Sequence, residues 1–535
     1  MIFRNLKELP LWKKLITALF AAVLCLQLGG ALYYLNHIEI RGDSTFAYTL
    51  ANNPYSYQFF GMTIGQLPGE NGWFDDNFLR QSFIVEPDNR FNFSQVYYHQ
   101  RRDYHPFGHY MLVNMICSIF AGSFSPMYSL ILNFLFLIGT DVAFILLAEK
   151  LWGSRLKALV PICCSMFLCS FQNIVSFARM YMMMDFLIVL FLYFSIVFYQ
   201  EETIKRTDCF GLFFTVLAGC LTHYSFYLYC GLFSVFLILF MLRERKVLNI
   251  RKYIETGLIA VLLSFVIYPW SIRHVLLNDN NIENIHSREI TLESIQSFVG
   301  FLNQQLLNSR IIYVLIILAL VFIPALIINS KNKSGLLKLE TNNLLIMISV
   351  TASSLIYSIV VLKMSGNHPN YLSPVYLPFA LILSSFVLFI VGKMNLIEGK
   401  ADAVIAAAII IIMINPFPVI KTISDNNKSY KEYCVWMQTA KDHAEDDCLL
   451  ILKKRGVMNN LLYDQYFAVA QYDELKWVTL DLMSLDEALC EESLSGRATP
   501  SKEVMVYLPE DIDFPSEGAE LLCKHNGFNT YRWVR

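Results

Sequence analysis

The sequence predicts a mostly α-helical, polytopic transmembrane bundle of 11–13 helices, with a large first outer loop and a small C-terminal α/β domain. Three observations carry that expectation. Hydrophobic residues make up 55% of the 535 and charged residues 16%, where soluble domains carry about a quarter charged. The apolar excess is gathered into long runs, Ile311 to Ile328 and Ala403 to Ile414 among them; about 20 such residues in a helix cross a hydrocarbon core of roughly 30 Å. Basic and non-basic joints alternate between the runs, as short loops do on the two sides of a membrane.

In chain order the apolar segments are 15–35, 107–122, 127–147, 157–174, 180–199, 209–222, 224–242, 253–270, 310–329, 342–362, 372–392 and 401–420. The first follows a basic N-terminus with Arg4, Lys7, Lys13 and Lys14. A signal peptide is the rival reading, but no small-residue cleavage pattern follows and the stretch is long enough to span, so it reads as a helix with its N-terminus in the cytoplasm. The basic joints are Lys205-Arg206, then Arg243 to Lys246 with Arg251-Lys252, then Lys331, Lys333 and Lys338, then Lys393 and Lys400. They belong inside; 173–179, 222–224, 271–309 and 365–371 therefore belong outside. Parity is violated at 107–122. Counting from either end places both its flanks outside, so it is interfacial or a further crossing lies nearby. The expected domains are a membrane domain over 1–420, with its outer loop at 36–105, and an extracytoplasmic α/β domain over 421–535. The latter alternates strand-like runs (Leu449 to Leu452, Val504 to Leu508) with helix-like ones (Asn459 to Ala470, Gly518 to His525). It has no glycine-rich phosphate loop.

Net charge is -2, which gives no basic field for nucleic acid. The 12 cysteines show no CxxC pair, and several, such as Cys25, Cys163 and Cys164, lie in apolar runs as small core residues.

Ionisable residues at membrane boundaries are costly and mark functional positions. Five groups fall on the predicted outer face. Arg41-Gly42-Asp43-Ser44 follows the first helix, where Asp43 suits a general base or metal ligand, or is a solvated loop acid. Arg101-Arg102-Asp103-Tyr104-His105-Pro106 precedes an apolar run. In an extended stretch Asp103 and His105 share a face and suit a divalent cation, while Arg101 and Arg102 suit phosphate; an aromatic, basic interfacial anchor is the other reading. Arg179-Met180-Tyr181 opens a helix, as a phosphate partner or a snorkelling arginine. Thr222-His223-Tyr224 joins two apolar runs, with His223 a ligand or a hydrogen-bonded structural histidine. Lys363 closes a helix, as a phosphate partner or a snorkelling lysine, before Asn367-His368-Pro369-Asn370-Tyr371.

At these groups the chain resembles GT-C polytopic membrane glycosyltransferases, the family-39-like set that includes protein O-mannosyltransferases and the aminoarabinose transferase of lipid A. The resemblance runs from about residue 38 to 385 and rests on order and spacing. The family's D-x-H-P-P-L-Y-Y stretch matches Asp103-Tyr104-His105-Pro106-Phe107-Gly108-His109-Tyr110, its R-M-Y-M opening matches Arg179 to Met182, and its T-H-Y matches Thr222 to Tyr224. Two positions depart: Ser44 stands where a second acid is usual, and Asn370 where an arginine is usual, before Tyr371 and Pro374.

What the resemblance implies is a GT-C fold and a sugar donor carried on a polyprenyl phosphate. The glycosyl group passes to a hydroxyl of an extracytoplasmic glycan, lipid or protein, as a hexosyl or pentosyl transfer. Asp43 is then the base. Asp103, His105 and His223 hold a divalent metal cation or polarise the phosphate, Arg179, Lys363 and Arg102 bind the donor phosphate, and Tyr104, Tyr181, Tyr224, Asn370 and Tyr371 line the cavity. Two other readings stay open. Asp141 and Asp185, acids inside apolar runs, keep a transporter or lipid flippase alive. The departures at Ser44 and Asn370 keep a non-catalytic envelope-assembly partner alive.

Overall fold

The computed structural model describes residues 11–37, 43–54, 73–101, 103, 105–168, 174–276, 291–307, 341–365, 368–394, 416–453, 467–480, 483–490, 503–515 and 518–534. The expected segment 310–329 and most of 401–420 lie outside those residues, as do the side-chain sites Arg102 and Tyr104.

The first apolar run is one 25-residue helix, α1 (Leu11–Leu35). Then come α2 (Asp43–Asn52), α3 (Phe93–Gln100) and α4 (Gly108–Ile119). Helix α4 has 12 residues and rises about 18 Å, too little for a crossing. Of the two readings of 107–122, a short helix fits the interfacial one. A series of apolar helices follows: α5 (Met127–Trp152), the nine-residue α6 (Leu159–Phe167), α7 (Tyr181–Gln200), α8 (Arg206–Cys220), α9 (Tyr224–Arg243) and α10 (Val247–Ile267). After the short α11 (Trp270–Leu276) come α12 (Leu292–Leu307), α13 (Thr341–Ser365), α14 (Ser373–Met394) and α15 (Pro416–Asp442). Among the described residues five helices are long and apolar enough to cross a membrane, within α5, α7, α9, α13 and α14 with its leading turn. The chain is a multi-pass membrane protein.

The chain divides into two compact units. The first comprises Met1–Tyr33, Tyr104–His109 and Ile131–Pro416. Helix α7 is its hub, packed against α8, α9, α10 and α14. It is apolar on every side, as a helix enclosed by others must be. Helix α8 approaches α7 closely because Gly211 leaves room for the Phe194 ring, 2.1 Å from where a Cβ would stand. The connections alternate between two ends. One end gathers charged groups: Lys150 pairs with Glu201, Lys246 with Glu244 at 2.8 Å, and Asn249 Nδ2 donates to the carbonyls of Phe198 and Glu201. The other end carries the aromatic and histidine-rich turns described below. The two acids inside apolar runs are ties between helices: Gln27 Nε2 donates to Asp141 Oδ1 at 3.3 Å, and Ser373 Oγ donates to Asp185 Oδ1.

The second unit comprises Tyr34–Asp103, Tyr110–Leu130 and Phe417–Arg535. Its centre is a six-stranded sheet in the order β1-β3-β2-β4-β6-β5. The strands are β1 (Phe74–Asp75), β2 (Asp447–Leu452), β3 (Glu474–Thr479), β4 (Glu503–Pro509), β5 (Ala519–His525) and β6 (Phe528–Val534). Strand β2 is central and parallel to both neighbours; buried on both faces, it reads Asp-Cys-Leu-Leu-Ile-Leu without alternation. Gly518 to His525, expected to be helical, is instead strand β5, because it pairs antiparallel with β6 through the turn Asn526-Gly527, whose φ of 48° and 74° are both left-handed as a two-residue hairpin turn demands. One face packs Leu449, Ile451, Val504, Val506 and Leu508 with Trp73 and Trp533. On the other, Trp436 of α15 lies against His525 and Tyr507.

Strand β1 belongs to the segment 36–105 that follows α1. It pairs antiparallel with β3, Phe74 opposite Leu475. Loop and tail therefore share one sheet, where the sequence separates them into 1–420 and 421–535. Helix α2 is anchored in this unit by buried polar ties: Asn52 Nδ2 donates to Phe83 O at 2.8 Å, Asn114 Nδ2 to Ala51 O at 3.0 Å, and His99 Nδ1 to Leu50 O at 3.2 Å.

Candidate functional site

The site is built on His223, in the turn between α8 and α9. The residue is extended (φ -158°, ψ 143°) and is the N-cap of α9; its Nδ1 accepts the amide of Ser225 at 3.1 Å. An imidazole nitrogen that accepts carries no proton, so the proton of this neutral ring lies on Nε2. His223 is 4% exposed. Burial, then the neighbouring His105 and Arg179, hold its pKa well below the ordinary histidine value. It is therefore a neutral hydrogen-bond donor at pH 7.

Four further groups face it within the same unit. The His105 ring lies 5.5 Å from that of His223. It is held there because Gly108 N–H donates to Leu221 O at 2.9 Å, docking the 105–108 segment on the 221–223 turn. Only glycine permits this approach: a Cβ at 108 would stand 2.6 Å from Leu221 O. Tyr181, the first residue of α7, places its ring 5.5 Å from His223 and stacks on Phe177. Arg179, 4% exposed, precedes it in a turn tied to α5, where Asn133 Nδ2 donates to Val175 O at 3.1 Å and Phe177 O at 2.7 Å. Tyr371 places its ring 6.4 Å from His223 and 4.8 Å from His368. Its turn (Pro369–Leu372), which also holds half-buried Asn370, is fixed by Tyr357 OH donating to Tyr371 O at 2.8 Å and Tyr376 OH donating to Pro369 O at 2.5 Å.

Tyr224, next to His223, reaches the other way. Its hydroxyl bonds His274 Nδ1 of α11 at 2.8 Å, and Tyr268 lies against both His274 and Phe107. His274, 6% exposed, is a residue that reading the sequence missed. The seven-residue helix that carries it is too short to show a period. His368 is likewise new to the cluster, although the stretch containing it stood out.

The remaining expected residues are placed as follows. Asp43 opens α2 in the second unit, a helix N-terminus that favours an acid; its side chain is outside the described residues. Asp103 is buried in that same unit. Its N–H donates to His99 O at 3.3 Å and continues the turn of α3. Lys363 is half-buried in the last turn of α13, and among the described residues no contact joins it to the His223 cluster.

A cation fits this cluster poorly. His223 Nε2 carries a proton and Nδ1 is taken, so neither offers a lone pair, and Arg179 adds positive charge. Among the described residues the one convergence of metal-ligating side chains is His443, Asp446 and Glu503, in the second unit. There Glu503 is engaged by Arg532 at 2.8 and 2.6 Å and His443 by Asp446 at 2.8 Å. Buried donors beside a guanidinium and tyrosine hydroxyls instead suit an oxyanion, above all a phosphate.

No protein-family model and no curated protein matches the chain. Among solved structures it is similar to ArnT from Cupriavidus metallidurans in the apo state, at 12% identity and a TM-score of 0.51 over 96% of this chain and 97% of that one. It is also similar to ArnT from the same organism bound to undecaprenyl phosphate, at 11% identity and a TM-score of 0.49 over 97% and 98%. The first similarity establishes the fold. The architecture is the GT-C type expected from the motifs, and it extends over nearly the whole chain.

Proposed function

We propose that the protein is a glycosyltransferase that moves a sugar from a polyprenyl-phosphate donor to a hydroxyl of an extracytoplasmic glycan, lipid or protein. The observation that carries this is the convergence of Arg179, His223, His105, Tyr181 and Tyr371 at one end of the helical unit. A lipid-linked phosphate suits such a place. Its tail lies among apolar helices while its charge sits at their ends, and nucleotide sugars are absent outside the cytoplasm. The N-terminus is cytoplasmic and the sheet unit extracytoplasmic in this reading.

The acceptor oxygen attacks the anomeric carbon, the bond from that carbon to the phosphate oxygen breaks, and polyprenyl phosphate leaves. Asp43 takes the acceptor proton. Arg179 and the His223 Nε2–H meet charge growing on the departing phosphate, while His105 and the tyrosines shape its seat. Attack in line with the leaving group inverts the anomeric centre. No step requires a metal. Lys363 and Arg102 serve as outer phosphate contacts, and Tyr104 and Asn370 as lining.

The test is transfer by the purified full-length protein, supplied with polyprenyl-phosphate sugars and an envelope extract. Transfer by the native chain and its loss in Arg179→Ala and in Asp43→Asn are expected. Undiminished transfer by both variants would remove these residues from the reaction.

A further inference from the structure

Asp185 is an acid that the reaction above does not use. It lies inside α7, 1% exposed, in a run apolar on every side. An acid there is costly unless something depends on it. It follows Tyr181 by four residues and so lies on the same face, one turn along. Its Oδ1 accepts the hydroxyl of Ser373, itself wholly buried, while Oδ2 has no hydrogen-bond partner among the described residues. Ser373 is the first residue of α14 and stands two residues after Tyr371.

The turn that presents Tyr371 is thus gripped from three helices. Tyr357 of α13 and Tyr376 of α14 hold its carbonyls, and Asp185 of α7 holds its exit through Ser373. The third grip is the one that reaches the helix carrying Tyr181. Tyr181 and Tyr371 both face the His223 ring. A bond between their two supports therefore sets how far apart they stand.

We propose that Asp185 is a positioning residue: through Ser373 it locks the Pro369–Leu372 turn to α7 and so fixes Tyr371 opposite Tyr181 across His223. Its consequence for a bound phosphate rests on the glycosyltransferase reading, but the lock itself does not.

The experiment uses the full-length protein in lipid nanodiscs, with two readouts. Hydrogen exchange of a peptide covering 368–376 reads the lock, and affinity for undecaprenyl phosphate reads its effect. Removing one partner of a buried hydrogen bond should speed exchange and weaken affinity about tenfold in Ser373→Ala and in Asp185→Ala. The double variant should be no worse than either single one. Asp185→Asn, which keeps an acceptor for Ser373, should stay within about threefold of native in both readouts. Native exchange in Ser373→Ala overturns the proposal, and so does Asp185→Asn behaving as badly as Asp185→Ala while Ser373→Ala is silent. Should the native protein not bind undecaprenyl phosphate, the donor reading fails, while the exchange arm still decides the lock.

Discussion

His223 and Arg179 form an uneven pair: one is neutral because it is buried, the other is charged although buried. The ring offers one donor, so His223→Gln, which keeps an N–H, should retain more transfer than His223→Phe, with kcat/KM falling about tenfold and at least a hundredfold respectively. Steady-state kinetics on the two variants checks this. Arg179→Lys should not rescue Arg179→Ala fully, since a lysine cannot reproduce the planar fork. Titration carries its own sign. Burial holds both His99 and His223 below the ordinary value near 6.5 in the folded chain. The unfolded chain then binds more protons below about pH 6.5, so stability present above that pH is lost as pH falls. Melting temperatures at pH 7.5 and 5.5 should show the drop. His99→Gln, which keeps a donor for Leu50 O, should flatten it.

At the scale of elements, the turns matter more than the helices they join. Gly108→Ala would drive a methyl into Leu221 O and push the 105–108 segment off the 221–223 turn. A stability loss of about 1–3 kcal/mol is expected from the clash alone, together with weaker undecaprenyl phosphate binding as His105 moves from His223. Thermal shift and binding assays on the same preparation separate the two effects. Asn133→Ala would leave two carbonyls of the Arg179 turn without their donor, costing about 1–2 kcal/mol. How far the sequence revealed these elements follows from what each depends on. The order of these turns was legible because polar residues interrupt apolar runs, a signal that needs no tertiary knowledge. The Gly108–Leu221 contact was not, because it joins two backbones, which every sequence has. Whether Asp103 and His105 share a face depends on the backbone at 104, which lies outside the described residues.

At the scale of the whole molecule, the fold class was readable from hydropathy and the two-sided charge pattern. The sharing of one sheet by loop and tail was not. Strand β1 has two residues, too few for any alternation to register. The shared sheet has a consequence. Truncation after Asp442 would remove β2 to β6, leave Trp73 and Phe74 without their partners, and expose the 36–105 loop. Limited proteolysis of intact membranes should then cleave the loop at least several-fold faster than in the native chain. The acids that kept a transporter in view, Asp141 and Asp185, turn out to tie helices together. Uptake of a labelled solute by proteoliposomes is accordingly expected to be absent.

The measurement that bears most directly on the donor is mass spectrometry of polyprenyl-phosphate sugars and envelope glycans, in cells with the native protein, without it, and with Arg179→Ala. The account requires one lipid-linked sugar to accumulate and one glycan to lose that same sugar, in both the deletion and the variant. Unchanged lipid and glycan pools in the deletion would contradict it outright.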